Sequence, residues 1–286
     1  MSTTVSPPNE SNPENSASEA NGSSTAPVSY AKPSGQMHFW MRRLHSLLGI
    51  LFGGYIAVHL TVNAAGLWPQ HYQAMVNKIH DLEPALPVIE IMTIFLPLIF
   101  HMVYGIWIAS VGKRHNTVAY NYGGNIRYSL QRWTAFILLA FIVYHVGTLH
   151  KWGLAMFGVN GYPLFESVSK EGDYVAYQTT VSAIQTNWFV RIFYLVGIWS
   201  AVFHFANGLW TAAIAWGLTV TAAAQKRWGH VCLAFGIGLF LIGTTAWVAF
   251  AIMGDKTLDP EKTKPESHHS RLIVPAEHSA SELNAK

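Results

Sequence analysis

Four histidines carry the chemistry that can be read most directly from this chain: His59, His101, His145 and His204. Each lies inside its own long apolar run, the fourth within FYLVGIWSAVFHFANGLWTAAIAWG at positions 193–217. An imidazole in hydrocarbon is costly, so an intramembrane histidine implies a function and a partner. Neutral imidazole is a good iron ligand, and two axial imidazoles complete a six-coordinate haem suited to electron transfer rather than oxygen binding. Such a site in a helix bundle needs one histidine from each of two facing helices, so four helices bearing one each can hold two haems. With no intramembrane Asp or Glu beside them, the four fit a proton pump poorly. A haem-free channel or transporter using histidines as relays is the competing reading. The single cysteine, Cys232, excludes an intrachain disulfide framework, a thiolate-held iron–sulfur cluster and covalently attached haem.

The elements that must position these residues are membrane spans. Only 12% of the 286 residues are charged and 51% are hydrophobic, against roughly 25% charged in soluble domains. The net charge of +3 is too small and scattered for nucleic-acid binding. Five spans are expected, from about Phe39 to Ala65, Pro87 to Gly112, Gln131 to Lys151, Trp188 to Leu218 and Trp228 to Gly254. Each supplies the roughly 20 apolar residues that a ~30 Å hydrocarbon core requires, and their continuous apolar character implies helices rather than barrel strands. The expected architecture is all-α, with the first four spans forming a four-helix bundle around two haems and the whole domain covering 37–254.

Residues 1–36 are rich in Ser, Asn, Pro and Glu and read as a disordered tail that is not a secretory signal. Residues 255–286 read as a polar tail whose His268–His269 pair lacks the further ligands that zinc sites take. Lys32, Arg42, Arg43, Lys113, Arg114, Arg127, Arg132, Lys226 and Arg227 gather at one side of the spans, against Lys78, Lys151, Lys170 and Arg191 on the other. The richer side is expected in the cytoplasm, which puts the N-terminus inside and the C-terminus outside. The basic residues after Asp255 oppose this weakly.

Depth pairs the histidines. At 1.5 Å per residue, His59 lies ~12 Å from Trp68 and His145 ~9 Å from Lys151. His101 lies ~16 Å from Glu90 and His204 ~20 Å from Arg191. Two shallow and two deep positions favour an outer haem on His59 and His145 and an inner haem on His101 and His204. Gly105 and Gly208 each follow a deep histidine by four residues, on the same helix face, and leave room there for a flat macrocycle. Gly49, Gly53 and Gly54 cluster similarly in the first span. Arg43, Lys113 and Arg132 are candidate partners for haem propionates. His45 and His230 are expected in interfacial packing or hydrogen bonding, and His150 stands at the outer end of the third span.

Specific strings carry a family resemblance: FWMRRLHSLLGI and AVHLTVN in the first span, IMTIFLPLIFHMVYGIWIA in the second, LQRWTAFILLAFIVYHV in the third and FYLVGIWSAVFHFANGLWTAAIAWGLTVT in the fourth. Together they resemble the diheme cytochrome b anchor of succinate:quinone oxidoreductases, in the five-helix, single-anchor form of Gram-positive succinate:menaquinone reductases. The resemblance covers roughly Phe39 to Gly254. It implies the same pairing, His101 with His204 and His59 with His145, as axial ligands of two b haems. It also implies a flavoprotein subunit with FAD that oxidises succinate and an iron–sulfur subunit on the cytoplasmic face. Electrons would then pass from the inner to the outer haem and on to a quinone, in a respiratory chain fed by the tricarboxylic acid cycle. The chain itself carries no flavin or dicarboxylate motif. It would be a conduit and anchor in a bacterial cytoplasmic membrane, not the subunit that oxidises succinate. A cytochrome b anchor of another dehydrogenase, such as formate dehydrogenase or nitrate reductase, is the nearest alternative. Some fumarate-reducing relatives carry a proton-conducting glutamate two residues before the ligand in the fourth helix, where this chain has Val202. If a quinone is reduced near the outer haem, protons would come from outside, and Asp81, Glu83 and Glu90 are the outer-side carboxylates expected to deliver them.

Overall fold

A computed structural model describes residues 35–111, 123–149 and 175–256. Residues 1–34 and 257–286, and Lys113, Arg114, His150, Lys151 and Lys170, lie outside the described residues, whereas Gly35 and Gln36 of the expected N-terminal tail already belong to the first helix. Five helices are long and apolar enough to cross a membrane: α1 (Gly35–Leu67), α3 (Leu86–Val111), α4 (Gly123–Leu149), α6 (Trp188–Ala215) and α7 (Ala222–Ile252). Two shorter helices, α2 (Pro69–His80) and α5 (Val175–Ile184), join them at one end, and no strand occurs among the described residues.

Local chemistry explains where the helices begin and end. Asn187 caps α6 by accepting a 2.9 Å bond from the Val190 amide, and Thr221 caps α7 from the Ala224 amide at 3.1 Å. These side chains satisfy amides that have no partner within the helix. Helix α6 stops where Gly217 turns to φ 75°, letting the Leu218 amide reach back 2.9 Å to the Ala213 carbonyl. Pro69 occupies the first turn of α2, where its missing N–H costs nothing. In α3, Pro97 follows directly on a π-helical turn at Ile91–Phe95. The wider turn absorbs the bond that proline cannot make to the carbonyl four residues earlier.

Two helix starts lie well before the expected ones. Helix α4 begins at Gly123, not near Gln131, because its polar first turns find partners: Asn125 is buried and Arg127 bonds across to α6. Helix α7 likewise starts at Ala222. Glu90 falls within the first turns of α3, so a carboxylate does stand inside one span, near its N-terminal end.

Helix α1 packs beside α3, α6 and α7, while α6 also packs beside α4 and α7. The best-packed cluster lies at the end where α2 and α5 sit. Tyr72, Tyr177, Val181 and Phe250 are almost fully enclosed there. A second cluster of Leu60, Val202 and Leu239 ties α1, α6 and α7 together at mid-span. Side chains such as Val58, Val103, Trp133 and Leu241 stay exposed along the outer faces, as lipid-facing residues do.

Candidate functional site: two histidine pairs across the bundle

The four histidines are brought together two by two. His59 on α1 and His145 on α4 have ring centroids 5.8 Å apart. His101 on α3 and His204 on α6 have centroids 6.1 Å apart. Each pair joins helices that are not close neighbours, so it spans the interior rather than one helix–helix seam. Along α1, the shallow pair at His59 stands ten residues from Gly49, which abuts His101. The two pairs are therefore stacked ~15 Å apart along the bundle.

The spacing within each pair suits a shared metal. An imidazole nitrogen sits ~2 Å from a bound first-row metal ion, which puts the centroids of two opposed rings about 6 Å apart. Among the described residues, no three His, Cys, Asp or Glu side chains converge as a zinc-type cage would need. What the chain offers is two opposed imidazoles per site.

Hydrogen bonds fix how the deep rings face. His101 Nδ1 donates to the His45 carbonyl at 3.0 Å, and His204 Nδ1 donates to the Gln131 carbonyl at 3.2 Å. A carbonyl can only accept, so the proton lies on Nδ1 and Nε2 keeps its lone pair for a ligand. Gln131 also holds the backbone beside His204, its Nε2 donating to the His204 carbonyl at 3.1 Å. Its Oε1 accepts from Asn207 at 2.7 Å, and Asn207 Oδ1 accepts from Arg127 Nε at 2.9 Å. A part-buried polar network thus backs His204.

The shallow pair is walled by aromatic rings. His145 lies against Phe141 at 5.6 Å and Tyr194 at 5.8 Å, and His59 against Tyr55 at 5.5 Å. The Tyr55 hydroxyl stands 3.4 Å from His59 Nδ1. His145 Nδ1 is buried with no hydrogen-bond partner.

Several neighbours were not foreseen. His45, expected at the interface, stacks on His101 with centroids 3.9 Å apart and planes 9° apart. Gly49 makes the room for His101: a Cβ there would lie 2.5 Å from its ring. Gly105 instead faces His45 at 3.2 Å, and Gly208 meets nothing closer than Gln131 at 3.7 Å. Only the spacing of His45 and Gly49 in the first span, one helical turn apart, signalled a shared face. Arg43 lies over the Phe39 ring at 3.6 Å, and Arg132 donates to the Ala109 carbonyl at 2.6 Å near the end of α3. Val202 is buried among apolar side chains, so no carboxylate occupies that place. Asp81 and Glu83 lie in the turn after α2.

Fold and site together define an all-helical, multi-pass membrane protein built around two stacked histidine pairs. The chain is 35% identical over 219 residues to the succinate dehydrogenase cytochrome b558 subunit of Bacillus subtilis (strain 168), covering 76% of this chain and 99% of that protein. It belongs to the family of succinate dehydrogenase cytochrome b subunits. No protein-family model matches it.

Proposed function

We propose that this chain is the diheme electron conduit and membrane anchor of a succinate:quinone oxidoreductase, with His59 and His145 holding an outer b haem and His101 and His204 an inner one. The observation that carries this reading is the pair of opposed imidazole couples at 5.8 and 6.1 Å, stacked along a membrane-spanning bundle. The donor set fits the group: two imidazoles per site, with the Nδ1 of each deep ring bound to a backbone carbonyl and its Nε2 left for a ligand. When bound, haem b supplies a one-electron carrier.

The protein's own contribution is orientation and exclusion of water. The His45 and Gln131 carbonyls hold the deep rings, while Phe141, Tyr194 and Tyr55 close the shallow site. Arg43, Lys113 and Arg132 are the candidate partners for anionic propionates at the basic end. That end, with Arg42, Arg43, Arg127, Arg132, Lys226 and Arg227, faces the cytoplasm and receives an iron–sulfur subunit, itself bound to an FAD-bearing flavoprotein that oxidises succinate. The opposite end holds the C-terminus outside a bacterial cytoplasmic membrane. The electron acceptor is a quinone, menaquinone on the strength of the Gram-positive resemblance. The polar tails, 1–36 and 255–286, flank the domain at 37–254.

Haem extracted from the purified chain and assayed as its pyridine complex tests the stoichiometry. Two b haems per chain are expected, with reduction of both by succinate only when the partner subunits are present. One haem or none, with haem supply adequate, contradicts the proposal.

A further inference from the structure

A cleft of about 840 Å³ runs along the seam of α6 and α7, and none of the four paired histidines lines it. Its two ends differ. At the basic end, Arg127, Lys226 and His230 line it together with Gln225 and Asn207, and no carboxylate does. Lys226 and His230 are exposed, and Arg127 spends its Nε on Asn207 while its guanidinium lies 4.0 Å over the Trp210 ring. Toward mid-span the floor becomes Trp199, Phe203, Leu233, Ile237 and Phe240. Four of these, all but Phe203, keep 38–61% of their surface exposed, so the cleft opens sideways to the hydrocarbon and not into the bundle.

Length decides what can lie there. From Gly229 to Phe240 the floor runs eleven residues, ~16 Å at 1.5 Å per residue. One leaflet of a ~30 Å core is ~15 Å deep. Cations at the headgroup level above a one-leaflet apolar floor match a molecule with an anionic head and acyl tails. A quinone has the tail but no anion to meet Arg127 and Lys226.

The geometry points to a bound anionic phospholipid in the α6–α7 cleft, its phosphate at Arg127 and Lys226 and an acyl chain along Leu233, Ile237 and Phe240. The lipid reading does not rest on haem ligation, although Arg127 and Asn207 also belong to the network behind His204. Its occupant would wedge the peripheral helix α7 against α6 and couple the fold to membrane composition.

Native mass spectrometry of the intact purified complex, titrated with phosphatidylglycerol or phosphatidylcholine, tests this directly. One phosphatidylglycerol per cytochrome chain should survive activation, in preference to phosphatidylcholine. Each Lys or Arg near the surface gives about fivefold in affinity for an anionic lipid. Lys226→Gln should therefore weaken phosphatidylglycerol about fivefold and leave phosphatidylcholine unchanged. Equal retention of the two lipids, indifference to Lys226→Gln, or a quinone in place of phospholipid would each overturn the assignment.

Discussion

His101 shows how much the placing of one imidazole depends on the residues around it. Its ring is enclosed by the His45 carbonyl, the stacked His45 ring and the bare Cα of Gly49. Gly49→Ala would place a methyl 2.5 Å from that ring. Displacing the imidazole should remove the inner haem and spare the outer one, which a low-temperature difference spectrum resolves. Gln131→Leu should retain haem but change the inner midpoint potential. It removes the side-chain support of His204 and leaves the Asn207 amide without its acceptor. The four histidines were legible because an imidazole is conspicuous among apolar residues. His45 and Gln131 were not, since a histidine near two arginines and a glutamine near a helix end both read as interfacial.

Elements were legible in proportion to their hydropathy. All five spans announce themselves by length and composition, yet α2 and α5 do not. They are short and half-polar, and are held by contacts distant in sequence. Pro69 at the head of α2 was the one local signal available. The two helices are stitched by Tyr72 to Thr180 at 3.2 Å and by the Ala176 amide to Gln73 at 2.9 Å. Tyr72→Phe should cost about 1 kcal/mol, read as a lower unfolding temperature of the purified complex. Burial also pushes the Tyr72 phenol up to about 12. A phenol whose folded value is raised stabilises the fold fully below its unfolded value near 10, and loses that contribution as pH rises toward 12. Thermal scans across that window should therefore show the wild type losing stability more steeply than Tyr72→Phe. Between α6 and α7, glycines at 229, 236 and 243 recur every seven residues against Trp210, Ala206 and Ile198. A Cβ on Gly243 would lie 2.6 Å from Ile198, so Gly243→Leu should destabilise the chain by about 1–3 kcal/mol through overpacking.

At the scale of the molecule, two sites are stacked along one bundle, and the described cations crowd one end of it. The depth argument from sequence and the ring contacts agree on which histidines are neighbours. Spacing alone could not say that each pair crosses the interior between helices that hardly touch. The ~15 Å between the pairs makes them separable by mutation, because substitutions further apart than about 10 Å with no shared partner act on the fold additively. Potentiometric titration of the purified complex, followed by visible difference spectra, uses that separability. Wild type should show two b-type transitions, His204→Ala only the outer one, and His59→Ala only the inner one. Retention of both transitions in either variant, or a wild type with no reducible b-type spectrum, would contradict the assignment of the four histidines as haem ligands.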